Sequence, residues 1–369
     1  SRSQPIRRRT LLSACVAATV AGTGYAAMRS WLPRDVPLPV NLAEGEPFWS
    51  FLGEHGHRTI ALWVPAEFPA REYANARVVS GLGVPDARGT NGTFTYFSSR
   101  DQPGHTEMGG EVVRVRFEDH VFDTKIQGPP DPFSDQQRLA IPLRLLRSEN
   151  ELRLSVATQH VVMRVGAWSE WLTFTFSAGP LISVATKGRF FLRAIEPHLE
   201  LYLSPLNFDP GNLPRTVSLS APRGYAAELE QRNGFFKTLG WPTETWALTE
   251  ERIDDATYLD DFEATFQRQR EIAMAELKRG EWDCFVAIFL PTDHIQHTFW
   301  RFLDPTHPRY ADEPDERVRC AIRRAYEAAD AFVGEVRAQI GNDATLIVMS
   351  DHGFHSWRTA VNLNLSLIH

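Results

Sequence analysis

Hydrophobic residues change their spacing twice along this chain. Between about 110 and 205 they alternate with polar ones. Val113, Val115 and Phe117 are interleaved with charged residues, and Leu152, Leu154 and Val156 follow the same rhythm. The stretches Trp171 to Phe176 and Arg189 to Leu192 continue a β-rich composition. A period of two predicts half-buried antiparallel strands. This section is therefore expected to be a β-rich insertion, with the Gly128-Pro129-Pro130-Asp131-Pro132 cluster as a loop between strands.

The flanking sections read differently. In 45–109, Pro47 to Gly56 predicts a short helix and Thr59 to Val64 an apolar strand closed by Pro65. The turn formers from Ser80 to Gly92 invite a phosphate-cradle reading, but they lack the Gly-Lys-Ser/Thr ending of a P-loop and are expected to form a plain structured loop. After 206, Leu259, Phe262, Phe266, Ala273 and Leu277 predict a helix over Tyr258 to Arg279. From about Pro314 to Ile340, Val318, Ile322, Ala325, Ala329, Phe332, Val336 and Ile340 step by three or four residues and form one core-facing stripe. Apolar runs at Cys284 to Leu290 and Thr345 to Ser350 read as strands. Strand, helix, helix, strand is the pattern of a parallel sheet. The fold class expected is α/β: a parallel sheet flanked by helices, interrupted by antiparallel strands.

At 369 residues, the length suggests two domains or one large domain with an insertion. Four sections are expected: 1–44 as N-terminal segment and linker, 45–109 as part of the α/β core, 110–205 as the insertion, and 206–369 as the rest of the core. A net charge of −7 makes no electrostatic case for nucleic-acid binding. Cys15, Cys284 and Cys320 are too few and scattered for a disulfide framework or a cysteine-based zinc site. Arg7-Arg8-Arg9 precedes the modestly apolar run Ser13 to Met28. This resembles a twin-arginine export signal, and reads equally as a linker or a membrane contact through residues 11–28. A membrane-associated or extracytoplasmic location in a prokaryote is compatible with it.

The chemistry lies where the two C-terminal apolar runs end. After the first come Asp293 and His297, four residues apart, which on a helix share one face. After the second come Asp351 and His352, with Gly353 permitting the turn that lets them converge. In open α/β sheets, ligands bind beyond the carboxyl ends of the strands. Mixed Asp and His donors suit Zn²⁺, and also Mn²⁺ or Fe. Two ions about 3.5–4 Å apart can clamp the attacking and leaving oxygens of a phosphoryl displacement. Either pair alone more often caps a helix or decorates a surface; two in this setting are expected to hold two divalent metals. His294 falls on another helical face and is expected to be a bystander, and His355 an exposed one. Trp168 and Trp171 raise the idea of a glycan or lipid-headgroup surface, against the commoner role of strand aromatics as core.

The runs Thr292 to Trp300, Asp304 to Pro308 and Leu346 to Phe354, with support from Ser80 to Tyr96 and Val361 to Asn364, resemble the type I phosphodiesterase/nucleotide pyrophosphatase branch of the alkaline phosphatase superfamily. The resemblance implies an alkaline-phosphatase-like parallel sheet, a bimetal site, usually zinc, and a small-molecule, lipid or nucleotide phosphoester substrate. Asp293 and His297 would hold one metal, and Asp351 with His352 the other. It also implies a nucleophilic Thr or Ser after an early strand ending in Asp, and a late His. Neither is found at the expected places, so the resemblance implies a chain cut at both ends with negligible turnover of its own. Rivals are a sulfatase, phosphomonoesterase or phosphotransferase of the same superfamily, and a catalytically silent, membrane-tethered binding protein.

Overall fold

The computed structural model describes residues 39–41, 43–101, 104, 109–134, 137–148, 150–179, 182–310 and 315–356. The segment 7–28 and the stretch 361–364 lie outside them. Among the described residues, no helix is long and apolar enough to cross a membrane.

The chain folds as a mixed α/β protein with both parallel and antiparallel sheets. Strand β1 (Thr59–Val64) is buried at every position, as a strand covered on both faces must be. It pairs in parallel with β2 (Ala76–Ser80) on one side and β4 (Cys284–Ala287) on the other, in the register Thr59 to Cys284. The short β3 (Ser220–Ala221) runs antiparallel on the far edge of β2. The order β3-β2-β1-β4 leaves β4 at an edge. Helix α1 (Phe48–Glu54) packs on β1 and β2. The glycine-rich stretch after β2 is a structured loop. The buried Asp86 carboxylate accepts from the backbone N–H groups of Arg88, Thr90 and Thr93, so a desolvated side chain organises the turn.

The period-two section is antiparallel in large part. Val121–Pro130, Arg138–Arg147, Leu152–Val156 and Gln159–Met163 form a consecutive four-stranded meander. Burial along Arg138–Arg147 alternates strictly from Leu139 to Leu145. Two further sheets draw in Thr95–Ser98, Glu111–Arg114 and the strands between Ala167 and Phe208. One expectation fails here. Gly128, Pro129 and Pro130 belong to a strand and not to a loop. That strand lies at the meander's edge, and its register shifts between Gln127 and Pro130. A bulge on an edge strand is where a residue without an N–H can be carried.

Helix α2 (Tyr225–Asn233) and the short α3 (Thr245–Thr249) precede the long α4 (Asp255–Arg279). The Asp254 side chain accepts from Thr257 N–H at 2.8 Å, Lys278 and Arg279 sit in the last turn, and Gly280 leaves the helix in the left-handed conformation. Each device satisfies or neutralises a helix end. Replacing Asp254 with Ala should cost about 1 kcal/mol in urea unfolding, the usual cost of losing an N-cap. The last predicted helix is two helices, α6 (Glu316–Arg319) and α7 (Ala321–Ile340), separated at Cys320. Ala321, Ala325 and Phe332 are its buried positions, so the stripe does face the core.

The second correction bears on the site. Thr345 to Ser350 forms no strand. Leu346, Ile347, Val348 and Met349 are 37%, 76%, 67% and 86% exposed. Apolar composition favours burial in a ladder, but a ladder needs a neighbouring strand, and this run pairs with none of the described sheets. Nor do Trp168 and Trp171 offer a binding surface. The Arg189 guanidinium lies over both rings, 4.0 and 4.8 Å from their centroids, while Trp168 packs on Phe191 and Trp171 on Phe235.

Candidate metal centre

The chain leaves β4 and enters α5 (Pro291–Phe299) with Pro291 at its first helical positions, where a missing N–H costs nothing. Pro291, His294, Ile295, Gln296 and Phe299 are the buried face of this helix. Asp293 and His297 therefore project together from the opposite face, one helical turn apart. The His297 Nε2 atom stands 3.4 Å from Asp293 Oδ1. The segment after Met349 reaches the same point: His352 Nε2 is 3.6 Å from that same Asp293 oxygen, and 3.8 Å from Asp351 Oδ2.

Asp293 is thus the hub. Its Oδ1 is buried, yet no hydrogen bond from a described residue reaches it. Burial pushes its carboxyl above the usual carboxylate range, and the neighbouring imidazoles of His297 and His352 pull it back. A buried carboxylate oxygen without a donor is costly. Oxygen and imidazole nitrogen are the donors a divalent ion uses. In kind, the set fits a metal. In geometry it is open: Asp351 is 90% exposed, and no group of three or more His, Cys, Asp or Glu among the described residues is placed to hold a metal ion.

His294 is not exposed to the site at all. Its ring stacks on Trp241 with centroids 3.8 Å apart, and its Nδ1 shares a hydrogen bond of 2.9 Å with the Thr243 hydroxyl. Desolvation pushes its pKa down to about 3, so the imidazole stays neutral. Trp241 also approaches His297, with 5.9 Å between the rings, and so backs the ligand helix. Behind Trp241 a cavity of about 10 Å³ is lined by Phe94, Tyr202, Leu239 and Glu244, among others. It has room for one water at most and none for a substrate.

The other half of the site is carried by a loop. Phe354 sets its ring edge-on against His297 at 4.9 Å, near His352 at 5.3 Å and Trp300 at 6.2 Å. The Trp300 Nε1–H donates to Ser356 Oγ at 3.2 Å, and the Ser356 hydroxyl donates to Asp304 Oδ2. The His355 ring bonds the Ser356 carbonyl at 3.0 Å. No Ser or Thr hydroxyl among the described residues is bonded to the Asp293, His297, Asp351 or His352 side chains. Spacing alone could find Asp293 and His297. Trp241 had no such signal, because it acts from a distant part of the chain, and the bond between Trp300 and Ser356 joins residues 56 apart.

Residues 217–367 match the family model described as type I phosphodiesterase / nucleotide pyrophosphatase, a span that contains all four candidate ligands. No curated protein and no solved structure matches the chain. The chain is thus similar to the type I phosphodiesterase / nucleotide pyrophosphatase family over residues 217–367.

Proposed function

We propose that this chain carries the metal side of a two-metal phosphoester hydrolase, with Asp293 and His297 serving one divalent ion and Asp351 and His352 the other. The observation that carries the reading is the convergence of His297 and His352 on a buried, otherwise unbonded oxygen of Asp293. Bound ions, zinc by the chemistry of the donors, would polarise the phosphoryl oxygen and stabilise the leaving group. The chain's own residues supply the frame. Helix α5 holds Asp293 and His297 in register, while the neutral, stacked His294 keeps that helix seated without adding positive charge beneath the site. The open geometry suits a site that tightens on its ligands. An alkaline-phosphatase-like sheet is part of the same proposal: the exposed run Leu346 to Met349 has the composition a further parallel strand would take. The attacking Thr or Ser is proposed to lie outside the residues described here.

Titration calorimetry with Zn²⁺ or Mn²⁺ tests the reading. Two ions per chain are expected, and Asp351→Ala should reduce the count to one. A chain that takes up no stoichiometric metal would fit a silent scaffold and defeat the proposal. With bis(p-nitrophenyl) phosphate, negligible turnover is expected. Metal-dependent hydrolysis that Asp351→Ala abolishes would place the nucleophile within the chain.

A further inference from the structure

We infer that Trp300, Asp304, Ser356 and Phe354 form a clasp that positions the Asp351–His352 loop against α5, and that Ser356 is its positioning residue. The inference rests on the metal reading above for its consequence, but on independent contacts for its existence.

The loop arrives without the support of a strand. Hydrogen bonds within Ser350 to Ser356 stay local: Ser350 Oγ–H to the His352 carbonyl, His352 N–H to Asp351 Oδ1, and the His355 ring to the Ser356 carbonyl. None of them fixes the loop relative to α5. Two sets of contacts do. Phe354 fills the angle between the His297 and Trp300 rings, so an apolar anchor sits directly behind one ligand of each pair. Ser356 is 9% exposed and ties the far end of the loop down, taking the Trp300 indole N–H and giving its own proton to Asp304. The second carboxylate oxygen of Asp304 accepts the Thr306 N–H at 2.9 Å and the Thr306 hydroxyl at 2.7 Å. The serine is therefore held by a carboxylate that is itself fixed in a turn.

The chemistry requires a hydroxyl at 356. It must accept from one partner and donate to the other at once, which an alanine cannot do and a threonine can. Outer groups of this kind orient metal ligands, and their loss typically weakens binding about 10–100-fold. The clasp would act on the Asp351–His352 ion and leave the Asp293–His297 ion alone, because α5 is fixed by its own buried face.

Two measurements on the full chain test it. In metal-free protein, the His297 imidazole C–H proton resonances, assigned through their loss in His297→Gln, should shift on Ser356→Ala as the Phe354 ring withdraws. Ser356→Thr should restore them. In zinc titrations, Ser356→Ala should weaken the second ion about 10–100-fold with the first unchanged, and Ser356→Thr should bind both. Unmoved His297 resonances in Ser356→Ala would overturn the clasp, whatever the metal data show. Shifted resonances in a chain that binds no zinc would keep the clasp and reject the metal reading. Equal weakening of both ions, or no rescue by threonine, would reduce Ser356 to a general structural role.

Discussion

Replacing Asp293 with alanine is expected to abolish binding of the ion assigned to Asp293 and His297 while leaving the chain's metal-free stability intact or improved. Both imidazoles that reach the site aim at one Asp293 oxygen, at 3.4 and 3.6 Å, so this carboxylate links the two pairs. Losing a direct ligand should exceed the 10–100-fold penalty typical of losing an outer partner. The stability half of the prediction has the opposite sign because the same oxygen is buried and unbonded in the metal-free chain. Desolvation already raises the Asp293 pKa, which marks the ionised form as disfavoured there. Residues kept for function commonly carry such a cost. Thermal unfolding with and without zinc reads both effects together. Each bound ion should add roughly 2.7 kcal/mol when zinc stands at a hundredfold excess over its dissociation constant, and the variant should lose the contribution of the Asp293–His297 ion. An Asp293→Ala chain that gains as much stability from zinc as the parent would show that this ion binds elsewhere.

How much of this was legible in the sequence depends on whether the signal was local. The meander around Arg138–Arg147 announced itself through strict alternation, and α4 through its stripe and its Asp254 and Gly280 ends. Asp293 and His297 were legible because one helical turn separates them, whatever the rest of the fold does. Failures came where the outcome hinged on a distant neighbour. Leu346 to Met349 has the composition of a strand but pairs with none of the described sheets, and Gly128 to Pro130 has that of a loop but sits in a bulged edge strand. His294 was rightly set on another face of its helix. That the face is sealed by Trp241, more than fifty residues upstream, is tertiary information. The same holds for Ser356, whose partners Trp300 and Asp304 share no motif with it.

The largest effect on stability is expected from Asp261→Ala, outside the set of proposed ligands. Asp261 lies on α4 with a side chain that is 0% exposed, and it serves two cations at once. Lys237 Nζ donates to both of its oxygens at 2.7 Å, and the Arg189 guanidinium donates to Oδ1. Glu244 completes the group, accepting from Lys237 at 3.2 Å and from the Tyr202 hydroxyl at 2.6 Å. Two cations and two carboxylates balance, and the group joins the antiparallel section, through Arg189 and Tyr202, to the helix that packs beside α7. Exchanging the set for apolar residues could be neutral, because desolvating four charges offsets much of their attraction. Removing one partner is different: it leaves two largely buried cations, Lys237 and Arg189, with Glu244 as the one remaining carboxylate of the group. A loss of about 3–5 kcal/mol is expected in urea unfolding, read as a lower midpoint at unchanged slope. Adding Lys237→Met to Asp261→Ala should recover part of that loss, since it removes the excess buried cation, and the coupling between the two sites measures the pair. A cost under about 1 kcal/mol for Asp261→Ala would mean the group behaves like a surface ion pair, and that the sheets and α4 are held together by their apolar contacts alone.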